Sequence, residues 1–322
     1  MKHIFSRNYL LYLLPFLFLL LILLFPAQAR NGASNGLLLW FNVLLPTLLP
    51  FMILADLIRR LHIIDRLCNR ISARTGKNLY FLYPLCLGLL TGLPLGAKLT
   101  ADAVRSGQLS RPKGQFLLTV CNNSSTMFLM GYVAEVQLQR PELIKYFLLF
   151  IPLSSLLAAL LQTTLSTFFY PFHNKVIPSS TNVLSTNTQA SSLPVVTTSK
   201  RPPFISSVSS SIMDSFTTIT LVGGFVILFS VLAEFALLIN SPFTLPLVAA
   251  LEMTTGVRAV CASSLSESAK IILSAATVSF TGLSGIAQTA CVFSGTGLSL
   301  MRYIFSRLLS AAFCIMLFYI FV

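Results

Sequence analysis

The chain has 322 residues, of which 55% are hydrophobic and only 10% are charged, and its mean hydropathy is +0.82. This composition excludes a water-soluble globular domain, and repeated apolar runs of membrane-spanning length predict an all-α polytopic membrane protein. The formal net charge of +13 lies mostly in short loops beside those runs, which is the positive-inside pattern, so we expect no nucleic-acid partner.

The first predicted helix occupies residues 1–35, and two interpretations of it are open. A basic start, an apolar core and the triplet Ala27-Gln28-Ala29 are also typical of a secretory signal peptide. The apolar run is long for a signal core, however, and a protein with many spans follows it. We therefore expect an uncleaved membrane helix.

Residues 36–170 form the first predicted half, which contains an interrupted apolar segment at residues 79–97. Basic loops lie on both sides of this segment, so a full crossing would place one of them on the wrong face of the membrane. Three glycines and a proline interrupt residues 88–96, and we predict a hairpin that enters and leaves on the cytoplasmic side. Close helix packing through the regularly spaced glycines is the alternative.

A polar stretch, Asn122, Asn123, Ser124 and Ser125, interrupts the next apolar segment. At about 1.5 Å per residue from Lys113, it lies near the middle of a hydrocarbon core roughly 30 Å thick. Polar groups at that depth must face protein, water or a ligand, so the stretch is either interhelical glue or a binding site. We expect the helix to break at the two asparagines. A second half-helix would then begin near Ser124, with an N-terminus suited to an anion.

Residues 171–210 are rich in Ser and Thr and predict a cytoplasmic linker without a core. Residues 211–322 form the second half, which repeats the order of the first: a span, an interrupted hairpin, a polar-centred span and a span. Charge counting reverses the orientation of this half. The sequence therefore predicts an inverted repeat with about seven transmembrane helices and two re-entrant hairpins.

The candidate binding residues come from the two hairpins and the two polar-centred spans. Glu252 lies in the second hairpin, where it either contacts a cargo, binds a coupling proton or sodium ion, or is satisfied by neighbouring threonines. Lys98 follows the first hairpin and either adds a positive charge to the site or snorkels to the interface. The full candidate set is Asn122, Asn123, Ser124, Ser125, Thr91, Gly92, Gly96, Lys98, Thr254, Thr255, Gly256, Gln288, Thr289 and Glu252.

The sequence favours neither an enzyme nor a resident cofactor or metal. No G-x-S-x-G, H-E-x-x-H or phosphate-loop pattern occurs. The three histidines lie in tails or loops, and the six cysteines are scattered without a C-x-x-C pair, which is typical of free thiols in apolar helices. We expect a small-molecule anion and the lipid bilayer as partners, and the sequence leaves a homo-oligomer open.

Six stretches carry a family resemblance. They are Asn42-Val-Leu-Leu-Pro46-Thr-Leu-Leu-Pro50-Phe, Gly92-Leu-Pro-Leu-Gly96-Ala-Lys98, Cys121-Asn-Asn-Ser-Ser125, Glu252-Met-Thr-Thr-Gly256, Gly282-Leu-Ser-Gly-Ile-Ala-Gln288 and Ser294-Gly-Thr-Gly297. They resemble, in order, the YlbJ-like sporulation integral membrane proteins, which belong with the nucleoside-recognition (Gate) domain proteins. The first helix and the linker lie outside the resemblance. It implies a multi-pass protein in the cell membrane or outer forespore membrane of a spore-forming bacterium, related to concentrative nucleoside transporters.

The resemblance also implies a cargo, because a member of this family is implicated in moving dipicolinate from the mother cell toward the spore. Dipicolinate is a planar aromatic dianion, and half-helix N-termini, amides and a lysine are suitable partners for it. We therefore predict a sporulation transporter of a small organic anion. The alternatives are a transporter of nucleosides and a non-transporting membrane scaffold needed for spore assembly.

Overall fold

A computed structural model describes residues 7–75, 80–169, 204–239 and 241–321, and every regular element in these ranges is helical. The helices of the first half are α1 (Arg7–Leu24), α2 (Pro26–Leu39), α3 (Leu45–Arg60), α4 (Ile63–Thr75), α5 (Leu82–Thr91), α6 (Leu95–Arg105), α7 (Arg111–Cys121) and α8 (Ile144–Phe169). Those of the second half are α9 (Phe204–Leu237), α10 (Thr244–Leu251), α11 (Met253–Ala262), α12 (Glu267–Phe280), α13 (Gly282–Phe293) and α14 (Leu300–Phe321).

Two π-helical segments complete the first half. Trp40–Leu44 joins α2 to α3 without a gap, and Phe128–Gln137 continues the line of α7 after a break. A short 3₁₀ turn, Pro141–Leu143, then leads into α8. Each half thus contains, in the predicted order, a long helix, a pair of short helices, an interrupted helix and a final long helix.

Five helical stretches among the described residues are long and apolar enough to cross a membrane. They are Pro26–Arg60, Pro141–Leu165, Phe204–Leu237, Glu267–Phe293 and Leu300–Phe321. Their outward faces carry many exposed large apolar side chains, which suits contact with lipid. The all-helical, multi-pass prediction is confirmed, while the count of seven spans stays a prediction.

The N-terminal boundary was predicted wrongly. The expected helix over residues 1–35 is interrupted at Phe25, and α2 begins at Pro26 and runs into α3. Pro26 is well placed to open a helix, because a first-turn residue needs no backbone N–H donor. Residues 1–6 lie outside the described residues.

Close packing against α9 explains why α2 stays helical through its polar residues. A Cβ added to Gly32 would lie 2.7 Å from the Cα of Val231, and one added to Gly36 would lie 2.8 Å from the Cα of Ile227. Two glycines four residues apart therefore let the two backbones approach directly. The indole N–H of Trp40 then donates to the carbonyl of Ile219 at 2.8 Å, which extends the contact into the π-helical turn.

The predicted linker is shorter than expected at its C-terminal end. Helix α9 begins at Phe204, so residues 204–210 belong to a helix instead of the linker. The remaining residues of the predicted linker, 171–203, lie outside the described residues.

Candidate functional site

The polar stretch at residues 122–125 is a break in a buried helix. Helix α7 ends at Cys121, and helical structure resumes at Thr126. The four residues of the break are 0–5% exposed. The Ser125 hydroxyl accepts a hydrogen bond from the backbone N–H of Phe128 at 3.2 Å, so it caps the next helix. The predicted break at the two asparagines is confirmed, and the next helix begins close to Ser124, as expected, with Ser125 as its cap. We call residues 122–125 the first break.

Asn122 ties the first break to both halves of the protein. Its side-chain amide donates to the hydroxyls of Thr289 and Tyr303, each at 2.8 Å. Its side-chain oxygen accepts from the backbone N–H of Ala97 at 3.0 Å, near the start of α6. These three bonds fix the side chain of a completely buried amide between α6, α13 and α14.

Arg307 is the functional candidate that sequence reasoning missed. It lies inside α14, is fully buried, and reaches the first break. One guanidinium nitrogen donates to the side-chain oxygen of Asn123 at 2.8 Å, and the other donates to the backbone carbonyl of Thr119. Its Nε has no hydrogen-bond partner, and none of the ion pairs of the described residues involves it. A single signal was available, namely an arginine several residues inside an apolar run.

The first pair of short helices, α5 and α6, packs its glycines on the first break. A Cβ on Gly92 would lie 2.5 Å from the backbone nitrogen of Ser125, and a Cβ on Gly96 would overlap the carbonyl oxygen of Cys121. Between them, the backbone N–H of Leu93 donates to the carbonyl of Asn123 at 2.7 Å. The spaced glycines therefore allow close packing. This packing places the turn between α5 and α6 directly against the first break.

The second half has a matching pair of interruptions. Helix α10 ends and α11 begins around Glu252, whose carboxylate accepts from the backbone N–H of Thr255 at 2.6 Å and from the hydroxyl of Thr254 at 3.0 Å. Helices α12 and α13 are separated at Thr281, which has a left-handed φ of 70°. A Cβ on the following Gly282 would lie 3.0 Å from the backbone nitrogen of Met253. We call Thr281 and Gly282 the second break.

The first break contacts the second half close to the second break. The Ser124 hydroxyl donates to the carbonyl of Val278 at 3.0 Å and lies 3.5 Å from the sulfur of Met253. A cavity of about 20 Å³ lies near this contact, and its polar lining comes from Glu252, Thr254, Thr281 and Gln288. Leu93 of the first half lines the same cavity, so both short-helix pairs meet at one place.

The interrupted helices of the two halves are antiparallel. Arg140, just after the first one ends, pairs with Glu267 at the start of the second, at 2.8 Å. At the opposite end, the backbone N–H of Ser299 donates to the side chain of Gln115 at 2.8 Å. The start of each interrupted helix therefore lies beside the end of the other.

Several candidate residues lie outside this meeting point. Lys98 lines a wide groove of about 750 Å³ between α6 and α9. The Thr255 hydroxyl contacts Ser230, and Gly256 packs on Ala249 of α10. Thr91 donates to the carbonyl of its own helix at Leu87. Within the described ranges, no three His, Cys, Asp or Glu side chains are grouped so that they could ligate a metal ion.

These features define a multi-pass helical membrane protein with two interrupted helices that meet at a buried polar centre. The chain is similar to the sporulation integral membrane protein YlbJ of Bacillus subtilis strain 168, with 27% identity over 326 residues. The alignment covers 92% of this chain and 79% of the relative. This similarity confirms the predicted resemblance to YlbJ-like sporulation membrane proteins, while the relation to nucleoside-recognition domain proteins stays a prediction. No family model matches the chain, and no solved structure matches it.

Proposed function

We propose that the protein carries a small organic anion across a membrane during sporulation. The sporulation role is carried over from the name of the Bacillus subtilis relative. The family resemblance supplies dipicolinate as the most suitable cargo, moved from the mother cell toward the forespore. The outer forespore membrane is the location that fits this direction. No enzymatic step or resident cofactor is part of the proposal.

The proposed architecture is an inverted repeat with seven spans and two re-entrant hairpins of the Gate type. Helix length supports it. The hairpin helices have 10 and 11 residues in the first half and 8 and 10 in the second. At about 1.5 Å per residue, each is roughly 12–17 Å long, which is about half of a hydrocarbon core near 30 Å. Such a helix reaches the midplane and no further. The antiparallel course of the two interrupted helices supports the inversion.

The observation that carries the proposal is the buried positive charge of Arg307 at the first break. An ionisable side chain inside a membrane bundle normally has a paired acid or a functional reason. Arg307 has neutral partners instead, namely the Asn123 side chain and backbone carbonyls. Its unit charge is therefore balanced only by dipoles.

The helix ends around Arg307 leave the centre positive. The C-terminus of α7 contributes about half a negative charge, and the N-terminus of the next helix contributes about half a positive charge. These two contributions roughly cancel, so the net charge stays near that of Arg307 itself. A positive, desolvated centre with amide and hydroxyl donors favours an anion over a neutral nucleoside.

Uptake of labelled dipicolinate into proteoliposomes tests this function. The wild-type protein should take up dipicolinate, excess unlabelled dipicolinate should compete, and uridine should not. Arg307→Gln should abolish uptake, because the amide keeps hydrogen-bonding groups and removes the charge. Arg302→Gln is the matched control, since Arg302 is exposed on the same helix and should be dispensable.

Both variants must be folded for the uptake rates to be compared, which an unchanged gel-filtration profile and an unchanged thermal midpoint would show. Uptake at the wild-type rate by a folded Arg307→Gln protein would refute the assigned site. Competition by uridine with no effect of dipicolinate would replace the anion by a nucleoside.

A further inference from the structure

We infer that a sodium ion binds in the small cavity between Glu252 and Gln288. Its binding is a property of the cavity alone, whereas its role as a coupling ion rests on the proposed transport function. The polar lining of this cavity supplies oxygen atoms from a carboxylate, an amide and threonines, and no basic side chain lines it.

The side-chain oxygen of Gln288 is an acceptor without a donor. Gln288 is 3% exposed, and its amide nitrogen donates to the Ser284 hydroxyl at 3.1 Å. Its Oε1 has no hydrogen-bond partner although it is buried. Buried polar atoms are almost always satisfied, so an unpartnered acceptor on a cavity wall points to a donor or a cation that binds there.

Glu252 lines the same cavity and is likewise incompletely satisfied. The carboxylate is 1% exposed and accepts from Thr254 and Thr255. A carboxylate has about four acceptor positions, so about two remain. None of the salt bridges of the described residues involves Glu252. A buried carboxylate without a cation is unfavourable, and a bound cation removes that penalty.

The size and position of the cavity select a small cation. A volume of about 20 Å³ holds one species the size of a water molecule. An unhydrated sodium ion fits, whereas an organic cation does not. Glu252 and Thr281 also lie at helix interruptions, where unwound backbone commonly coordinates sodium in membrane transporters.

The ion would lie beside the residues proposed to hold the anion. Met253 follows Glu252 in sequence and contacts Ser124 of the first break at 3.5 Å. A negative Glu252 repels an anion at that break, and a sodium ion cancels the repulsion. The ion and the anion should therefore bind cooperatively, each raising the affinity for the other.

Thermal unfolding of the full-length protein in detergent tests the site, with sodium chloride compared against choline chloride at equal ionic strength and pH. A ligand that binds the folded state raises its stability by mass action. Sodium at about a hundredfold above its Kd should raise the apparent Tm by roughly 5–10 °C. Glu252→Gln and Gln288→Met should each lose this shift. Glu234→Gln, which changes a partly buried acid of α9, should keep it.

Three outcomes would overturn the inference: equal Tm values in sodium and choline, a sodium shift retained in Glu252→Gln, or a Tm that responds to pH and not to sodium. A sodium shift retained in Glu252→Gln would indicate another ion site. A Tm that responds to pH and not to sodium would indicate that Glu252 binds a proton. If Glu252→Gln fails to fold, Gln288→Met decides, because it keeps the length of the side chain. Dipicolinate uptake together with equal Tm values in sodium and choline would leave the proposed transport standing while the inferred site fails. A sodium shift without dipicolinate uptake would leave the site standing while the proposed transport fails.

Discussion

Replacing Gly92 with alanine should destabilise the protein by about 2–6 kcal/mol. Gly92 has a φ of +70° and a ψ of −158°, a backbone conformation almost restricted to glycine, where a residue with a Cβ is strained by about 1–3 kcal/mol. The new Cβ would also lie 2.5 Å from the backbone nitrogen of Ser125 and 2.7 Å from the carbonyl oxygen of Asn123. Both neighbours are main-chain atoms of the first break, so they cannot rotate away. Overpacking of this kind costs about 1–3 kcal/mol more.

Gly107→Ala separates the two contributions. Gly107 has nearly the same φ, +73°, and a Cβ there would meet nothing within 4 Å. In this variant the free energy of unfolding should fall only by the cost of the backbone conformation, about 1–2 kcal/mol. In detergent, the apparent Tm of Gly92→Ala should therefore fall several °C below that of Gly107→Ala, at roughly 2–4 °C per kcal/mol. Equal Tm values for the two variants would show that the hairpin does not pack against the break.

Two further predictions follow from the packing and the topology. Trp40→Phe removes the hydrogen bond to the Ile219 carbonyl and should lower the free energy of unfolding by about 0.5–1.5 kcal/mol, measured as a lower apparent Tm. In a cysteine-free background, Arg66→Cys and Gln108→Cys should react with an impermeant thiol reagent from one side of the membrane, and Ser264→Cys from the other. Labelling of the first two from opposite sides would contradict the re-entrant hairpin.

The interrupted course of the chain could be predicted because it depends on local chemistry. Asparagine and serine bond to nearby backbone groups and compete with helix formation, and this marked the first break at Asn122. The closely spaced glycines of residues 88–96 marked the paired short helices in the same way. Their contact partner, the first break itself, is distant in sequence and emerged only in three dimensions.

The errors of prediction arose where tertiary contacts override local preference. The predicted boundary at residue 35 lies beside Asn31, Gly32 and Asn35, which are typical of a loop, yet the helix continues past it because α2 packs on α9. The prediction missed Arg307 because the topology was inferred from charge counting. That method treats every arginine near a helix end as exposed to water, and it cannot detect one that is buried against another helix.

The contacts around the two breaks differ in kind. Within each half, main-chain atoms of hairpin and break come into direct contact, as at Gly92 and Gly282. Between the halves, the bonds at the breaks run through side chains such as Asn122, Ser124 and Arg307. The main-chain contacts hold each hairpin firmly against the break of its own half. The side-chain hydrogen bonds between the halves can break and form with new partners when the side chains rotate. A conformational change of this protein should therefore move the two halves relative to each other at the side-chain contacts between them.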